Sequence, residues 1–320
     1  IATLLSAIYT IAFNYYYTRK LIPELKINIC NLDIKCIFNL INSGIWNSIG
    51  RLSQILLDGL DLVITNIFIS ASITGSISIT KTFTTLMITF LSLISDGFMP
   101  KFLKDFTNND SSNEFVKSII LSMRYLGFVF NIMCAGLIVY CKDLYHLWVP
   151  TENSSFLTSL TLLGLGPIII SGSIYSLFNV FTVTNKVKQN SLIMLITGVF
   201  STLTVFILLN TTSLGVYAIV GVSSFYGILR NLFFTPIYAA KCIGVKSWVF
   251  YRQILRNLFS LLILVILFSC IRANFLIDNW GSFIGVISIS GLIAIFFNFL
   301  LVFTKEEKKA LSSKVITLLK

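Results

Sequence analysis

The chain has 320 residues, 56% hydrophobic and only 12% charged, with a mean hydropathy of +0.88. That balance excludes a soluble domain, and long apolar runs in place of short alternating segments exclude a β-barrel, leaving an all-α polytopic transmembrane helix bundle. The formal charge of +11 does not point to nucleic acid, because the basic residues fall in alternate loops, as in a membrane protein that keeps its positive loops inside.

In chain order, residues 1–16 are apolar but shorter than the roughly 20 residues a span needs. They begin at Ile1, lack the basic start and cleavage site of a signal peptide, and read as a truncated span, the partial last helix of a missing N-terminal lobe. Residues 17–40 carry Arg19, Lys20, Lys26 and Lys35, with Pro23 as a breaker, and suit an amphipathic linker on the cytoplasmic surface.

Asn47 to Asp96 reads as a transmembrane hairpin with a polar seam on each leg. Asn47, Arg51, Gln54, Asp58, Asp61 and Thr65 recur at helical spacing on the first leg. Thr74, Ser78, Lys81, Thr85, Thr89, Ser92 and Asp96 do so on the second. Charge within a membrane is costly, so such faces turn to a protein interior or a watery cavity. With the turn near Ser70–Thr74, Asp61 and Lys81 each lie about 15 Å below it at 1.5 Å per residue, which predicts an ion pair.

A polar loop with Lys101, Lys104 and Lys117 leads to a span at about 118–140, with Arg124 near its inner end. An outer loop at Lys142–Asn153 follows, containing His146 and the interface anchor Trp148. The span at about 155–183 contains Pro167, which predicts a kink, and Tyr175 and Asn179 continue a small polar face from Ser171. After an inner turn at Asn185–Gln189 come spans at about 190–209 and 214–237, joined by an outer turn at Asn210–Ser213. An inner loop from Arg230 to Arg256 holds Arg230, Lys241, Lys246, Arg252 and Arg256. Two last spans, about 254–271 and 279–303, precede a basic tail with Lys305, Lys308, Lys309, Lys314 and Lys320. The expectation is about nine spans, one of them partial, with a cytoplasmic C-terminus. Domain bounds follow: 1–16 partial helix, 17–40 linker, 41–237 six-helix lobe, 238–320 two additional helices and tail.

Six scattered cysteines without a CxxC read as small apolar fillers, and the single histidine, His146, as a solvated bystander. There is no Walker loop, no HExxH and no Ser/His/Asp set, so neither an enzyme, a metal site nor a cofactor is expected.

Trp46, Leu52, Leu57, Asp61, Phe68, Gly75 and Ile79 together resemble the start of the second half of polysaccharide flippases. These are the Wzx-type O-antigen and exopolysaccharide transporters of the multidrug/oligosaccharidyl-lipid/polysaccharide exporter superfamily. Leu208–Asn210, Leu214–Gly215–Val216–Tyr217–Ala218 and Gly221 resemble that family's eleventh-to-twelfth helix junction. Tyr15, Arg19 and Leu21 with the following linker resemble the connection between its halves. The likeness is a diffuse pattern over nearly the whole chain. It implies that 1–16 is the sixth helix, 41–237 helices seven to twelve, and the last pair thirteen and fourteen, in a MATE-like fold working by alternating access.

The resemblance implies translocation of an undecaprenyl-pyrophosphate-linked oligosaccharide across the bacterial plasma (inner) membrane, for O-antigen or other surface polysaccharide. Membrane lipids and a polysaccharide polymerase are the implied partners. Pyrophosphate favours fixed cations, which makes Arg51, Lys81 and Arg124 candidates, with Arg51 first for capture. Gln54, Thr85, Tyr175 and Asn179 are candidates for sugar hydroxyls. Asp61 either pairs with Lys81 or binds a coupling proton or sodium ion. Blander readings stand beside these: Arg51 and Arg124 as residues snorkelling to headgroups, Asp61–Lys81 as a structural lock, and the seam hydroxyls bonding their own helix. Two further functions stay open, a cation-coupled multidrug antiporter and a flippase for another lipid-linked cell-wall precursor.

Overall fold

In this computed structural model, residues 2–21, 23, 34–107 and 112–309 are described, and every element among them is helical. Most of the expected linker, with Lys26 and Cys30, and the tail residues Lys314 and Lys320 lie outside the described residues. The chain divides into two compact units, 1–45 and 46–320. The first holds α1 (Ala2–Leu21) and the start of α2 (Ile34–Gln54). α1 runs beyond the expected end at residue 16, through Tyr16 and Tyr17 to Arg19 and Lys20, cations that suit a helix C-terminus.

The second unit opens with the rest of α2. A single π turn, Ile55–Gly59, follows, closed by the Leu60 N–H donating to the Ile55 carbonyl, and then α3 (Leu60–Phe68). The hairpin turn is tight. Ser70 caps the next helix, α4 (Ala71–Gly97), its hydroxyl accepting from the Ile73 N–H at 3.3 Å. Two elements differ from their predicted form. The loop expected at Lys142–Asn153 is mostly helix, because α6 runs over Ser112–Trp148 and buries Tyr145, whose hydroxyl meets that of Thr161 at 2.7 Å. His146 therefore sits in a helix's last turn. Before it, α5 (Met99–Thr107) is a short helix anchored by the fully buried Phe102.

α7 (Ser154–Val183) contains Pro167, and α8 (Val187–Thr211) follows a turn with Asn185 at φ 54. The second correction concerns the inner loop expected at Arg230–Arg256. α9 (Val216–Leu229) continues through a second π turn, Arg230–Phe234, into α10 (Thr235–Ile243). The break is only 244–247, where Gly244 takes the left-handed φ of 79 that a side chain would oppose. α11 (Trp248–Ala273) and α12 (Trp280–Val302) complete the unit, the latter opened by a capping box of Asn279 and Ser282.

Seven helical stretches among the described residues are long and apolar enough to cross a membrane, beginning with 71–107 and ending with 280–302. The first hairpin leg, expected to span, falls short of that measure because Arg51, Asp58 and Asp61 punctuate it and the π turn interrupts it. The polar end of α1, with Asn14, three tyrosines and Arg19, has the same effect there.

α6 and α7 form the inside of the bundle and contribute to both large apolar clusters. Polar side chains bind the rest together. Asn131 donates to the Asn257 carbonyl (3.1 Å), Asn257 to the Met123 carbonyl (3.3 Å), Asn298 to the Phe128 carbonyl (2.6 Å) and Ser260 to Asn298 (2.6 Å), tying α6, α11 and α12. Where no water competes, such bonds are the glue between helices. Outward rows such as Ile196, Val199, Phe200, Leu203 and Ile207 on α8 stay exposed, as lipid-facing positions do.

Candidate functional site

The seam of the first leg does not run straight. One extra residue in the π turn shifts the register, so the positions before and after it no longer stack as in an α-helix. Gln54 and Asp61 line a cavity of about 230 Å³, whereas Arg51 is exposed and outside it. Asp58 falls within the π turn, and its side chain lies outside the described residues. α8 supports this bend. A Cβ on Gly198 would stand 3.1 Å from that of Leu56, and Thr202 donates to the Leu56 carbonyl at 3.4 Å.

From α4, Thr80, Lys81, Thr84 and Thr85 face the same cavity. Lys81 Nζ donates to Asp61 Oδ2 at 2.8 Å, so the predicted ion pair is present. Asp61 is buried and its other oxygen accepts from Ser223 Oγ of α9 at 3.0 Å. Hydroxyls of α4 donate to their own helix both at the cavity, Thr80 to the Ile77 carbonyl and Thr84 to that of Lys81, and away from it, Thr74 to the Ser70 carbonyl, Ser78 to that of Thr74 and Thr89 to that of Thr85.

The opposite wall comes from α7, α9 and the second π turn. Arg230 and Asn231 open that turn and line the cavity. Arg230 Nε donates to Asn231 Oδ1 (3.1 Å), and Asn231 Nδ2 donates to Ser171 Oγ (2.8 Å) and the Pro167 carbonyl (3.1 Å). Gly227 admits Pro167 closely here, since a Cβ on the glycine would stand 2.8 Å from the proline's. Both π turns of the described chain thus border one cavity, and π turns concentrate at functional sites. The lining carries two cations, Lys81 and Arg230, one carboxylate, and hydroxyls and amides between apolar walls. This chemistry binds polyols and phosphate oxygens. Among the described residues no group of three or more His, Cys, Asp or Glu could hold a metal.

The remaining sequence candidates lie elsewhere. Asn179 Nδ2 ties α7 to α4 by donating to the Ser95 carbonyl (3.1 Å) and hydroxyl (3.0 Å). Tyr175 packs edge-on against Phe178, centroids 5.6 Å apart, and neither residue lines the cavity. Arg124 lines a separate cleft, where it donates to Gln253 Oε1 at 3.0 Å and pairs with Glu307. Sequence reasoning missed Ser223, Arg230 and Asn231. Their signal was available: Ser223, Gly227, Arg230 and Asn231 recur at helical spacing inside an apolar run, and a charge there marks function by default.

No protein-family model and no solved structure matches the chain. It is similar to the uncharacterized membrane protein EpsK of Bacillus subtilis (strain 168), with 24% identity over 310 residues. The match covers 97% of this chain and 61% of that protein. With seven membrane-length helices and a membrane protein as its relative, the chain is a multi-pass membrane protein.

Proposed function

We propose that this protein is a transporter, not an enzyme, and that it translocates lipid-linked oligosaccharide across a bacterial plasma membrane by alternating access. The observation that supports this most is the cavity shared by Asp61, Lys81, Ser223, Arg230 and Asn231, a chamber with polar groups whose walls from α4, α7 and the α9–α10 stretch belong to helices long enough to span. Moving a sugar pyrophosphate through hydrocarbon needs hydroxyl and amide partners for the sugar and fixed cations for the phosphates. Lys81 and Arg230 are the cations the cavity offers, and we assign phosphate capture to them. At about 230 Å³ the chamber is smaller than the roughly 300–1,000 Å³ of ordinary ligand pockets. It holds a headgroup and not a whole repeat unit, so the transporting state is wider. A proton or sodium gradient is the proposed energy source, and a cytoplasmic C-terminus is the proposed orientation, which the basic tail supports.

The test is surface polysaccharide in a deletion strain complemented with the full-length gene. Lost polymer and accumulated lipid-linked repeat units, both reversed by complementation, are expected. Normal polymer with altered resistance to cationic drugs would overturn this reading in favour of the antiporter.

A further inference from the structure

A second cleft, of about 970 Å³, opens between α6, α11 and the segment that follows α12. Its lining includes Arg124, Arg252, Arg256, Lys305 and Lys308, and no carboxylate. Of the two adjacent carboxylates, Glu306 is exposed and outside the lining, and Glu307 is held by Arg124. Two of the cations are fixed by backbone. Arg256 Nε donates to the Leu301 carbonyl (2.9 Å) and its NH2 to that of Phe303 (3.3 Å), while Lys308 Nζ donates to the Leu300 carbonyl (2.7 Å). Neutral carbonyls orient these groups without cancelling their charge. Arg252 and Lys305 are exposed and have no hydrogen-bond or ion-pair partner among the described residues.

The cleft is layered along α11. Trp248 stands at the helix start, exposed at 67%, then Arg252 and Arg256 one and two turns on, then Phe259, exposed at 61%. Phe259 lies about 16 Å along the axis from Trp248 at 1.5 Å per residue. A belt of cations followed along the helix by a greasy surface matches a phospholipid's phosphate and its acyl chains, with Trp248 an aromatic at the headgroup level.

We propose that this cleft binds the phosphate headgroup of an anionic glycerophospholipid, with the acyl chains lying on Leu255 and Phe259. Charge complementarity selects the occupant, because four cations beyond the Arg124–Glu307 pair, with no carboxylate in the lining, would repel a cationic partner and waste a zwitterionic one. The inference does not depend on what the first cavity transports.

The experiment uses the full-length protein in detergent, with dioleoyl phosphatidylglycerol or dioleoyl phosphatidylcholine added, and native mass spectrometry to count retained lipid. Retention of phosphatidylglycerol but not phosphatidylcholine is expected. The double variant Arg252→Gln/Lys305→Gln should weaken it about 30-fold, at roughly one kcal/mol per cation near the surface. Both residues are exposed and unpaired among the described residues, so the variant should fold. Lys241→Gln/Lys246→Gln, two exposed cations outside the cleft, should bind like the parent. Equal retention of the two lipids, or unchanged binding in the first variant, would overturn the proposal. So would displacement of phosphatidylglycerol, one for one, by added undecaprenyl pyrophosphate, which would assign the cleft to the carrier lipid instead.

Discussion

Lys81 reaches Asp61 across the hairpin at 2.8 Å, from a helix that starts only after the intervening turn. Because Ser223 holds the other carboxylate oxygen, one buried acid joins α3, α4 and α9. Removing one member of such a pair leaves a charge without its main partner, which costs on the order of 3–5 kcal/mol. Lys81→Met should therefore lower thermal stability in detergent markedly, towards the smaller end because the lysine is partly exposed. Asp61→Asn on top should recover much of the loss. For transport, Lys81→Glu should abolish export and Asp61→Lys added to it should restore part. A double change that rescues neither stability nor export would remove the pair from the account.

Gly172 gives a packing prediction. A Cβ there would lie 2.1 Å from the ring of Phe130, which is almost fully buried between α6 and α7. The ring has nowhere to go in a packed interior, so Gly172→Ala should cost about 1–3 kcal/mol or more. Gly75 in α4 has nothing within 4 Å of its would-be Cβ. There the same change should be neutral or stabilising, by up to about 1 kcal/mol from helix propensity. Melting temperatures of the two variants should move apart. Equal behaviour would mean that α6 and α7 do not approach as described.

Glu307 offers a pH test at the edge of the second cleft. Burial acts to raise its pKa, but the Thr304 backbone N–H and hydroxyl and the Arg124 guanidinium outweigh burial and hold it below the ordinary 4.5. A depressed carboxyl stabilises the fold fully above the ordinary value, and that stabilisation is lost as pH falls through the lowered one. The pair is partly solvated, so the effect should not exceed about 1 kcal/mol. Glu307→Gln should melt earlier than the parent at pH 7. The gap should close as the pH falls below the ordinary glutamate value. A gap constant from neutral to acid pH would assign the destabilisation to lost packing.

The sequence legibly contained the hairpin, its ion pair and most helix positions, because each rests on local spacing. Asp61 and Lys81 are symmetric about one turn, and that symmetry survives any detail of packing. Arg230 was not legible in the same way. Counting charges by loop placed it with Lys241, Lys246 and Arg252, whereas the chain stays helical to Ile243 and turns it into the cavity. Arg51 shows the converse. A steady helical period aligned it with Gln54 and Asp61, yet those two line the cavity while Arg51, one turn before Gln54, is exposed outside it. π turns follow from how neighbouring helices pack, here Gly198 and Thr202 against Leu56, and no residue pattern within the turn announces them.

Thr85 is exposed on α4 and borders the first cavity, with Lys81 one turn before it. Thr85→Cys should react readily with a small polar thiol reagent in intact cells, and added lipid-linked substrate should slow the reaction. Thr89, whose hydroxyl is turned to the Thr85 carbonyl and which does not line the cavity, provides the comparison. Equal rates at both positions, unaffected by substrate, would show that the cavity is not on the transport path.

Arg230 and Arg51 separate the site from its sequence-based approximation. Arg230 lines the chamber with Asn231, whose amide is anchored to α7, so its guanidinium is held on a fixed wall. Truncating a cation that meets phosphate directly removes a charge-assisted contact worth roughly 1.5–3 kcal/mol, or about 10- to 150-fold in transport. Arg230→Gln should show that loss with normal membrane insertion, and Arg230→Lys should restore only part, because an ammonium replaces the planar fork with a point charge. Arg51→Ala, at an exposed position outside the chamber, should leave export within about twofold, as expected of a surface substitution. Export assays on the three variants decide between the two arginines. A severe defect at Arg51 with none at Arg230 would shift phosphate capture to the first leg and make the second π turn a packing feature.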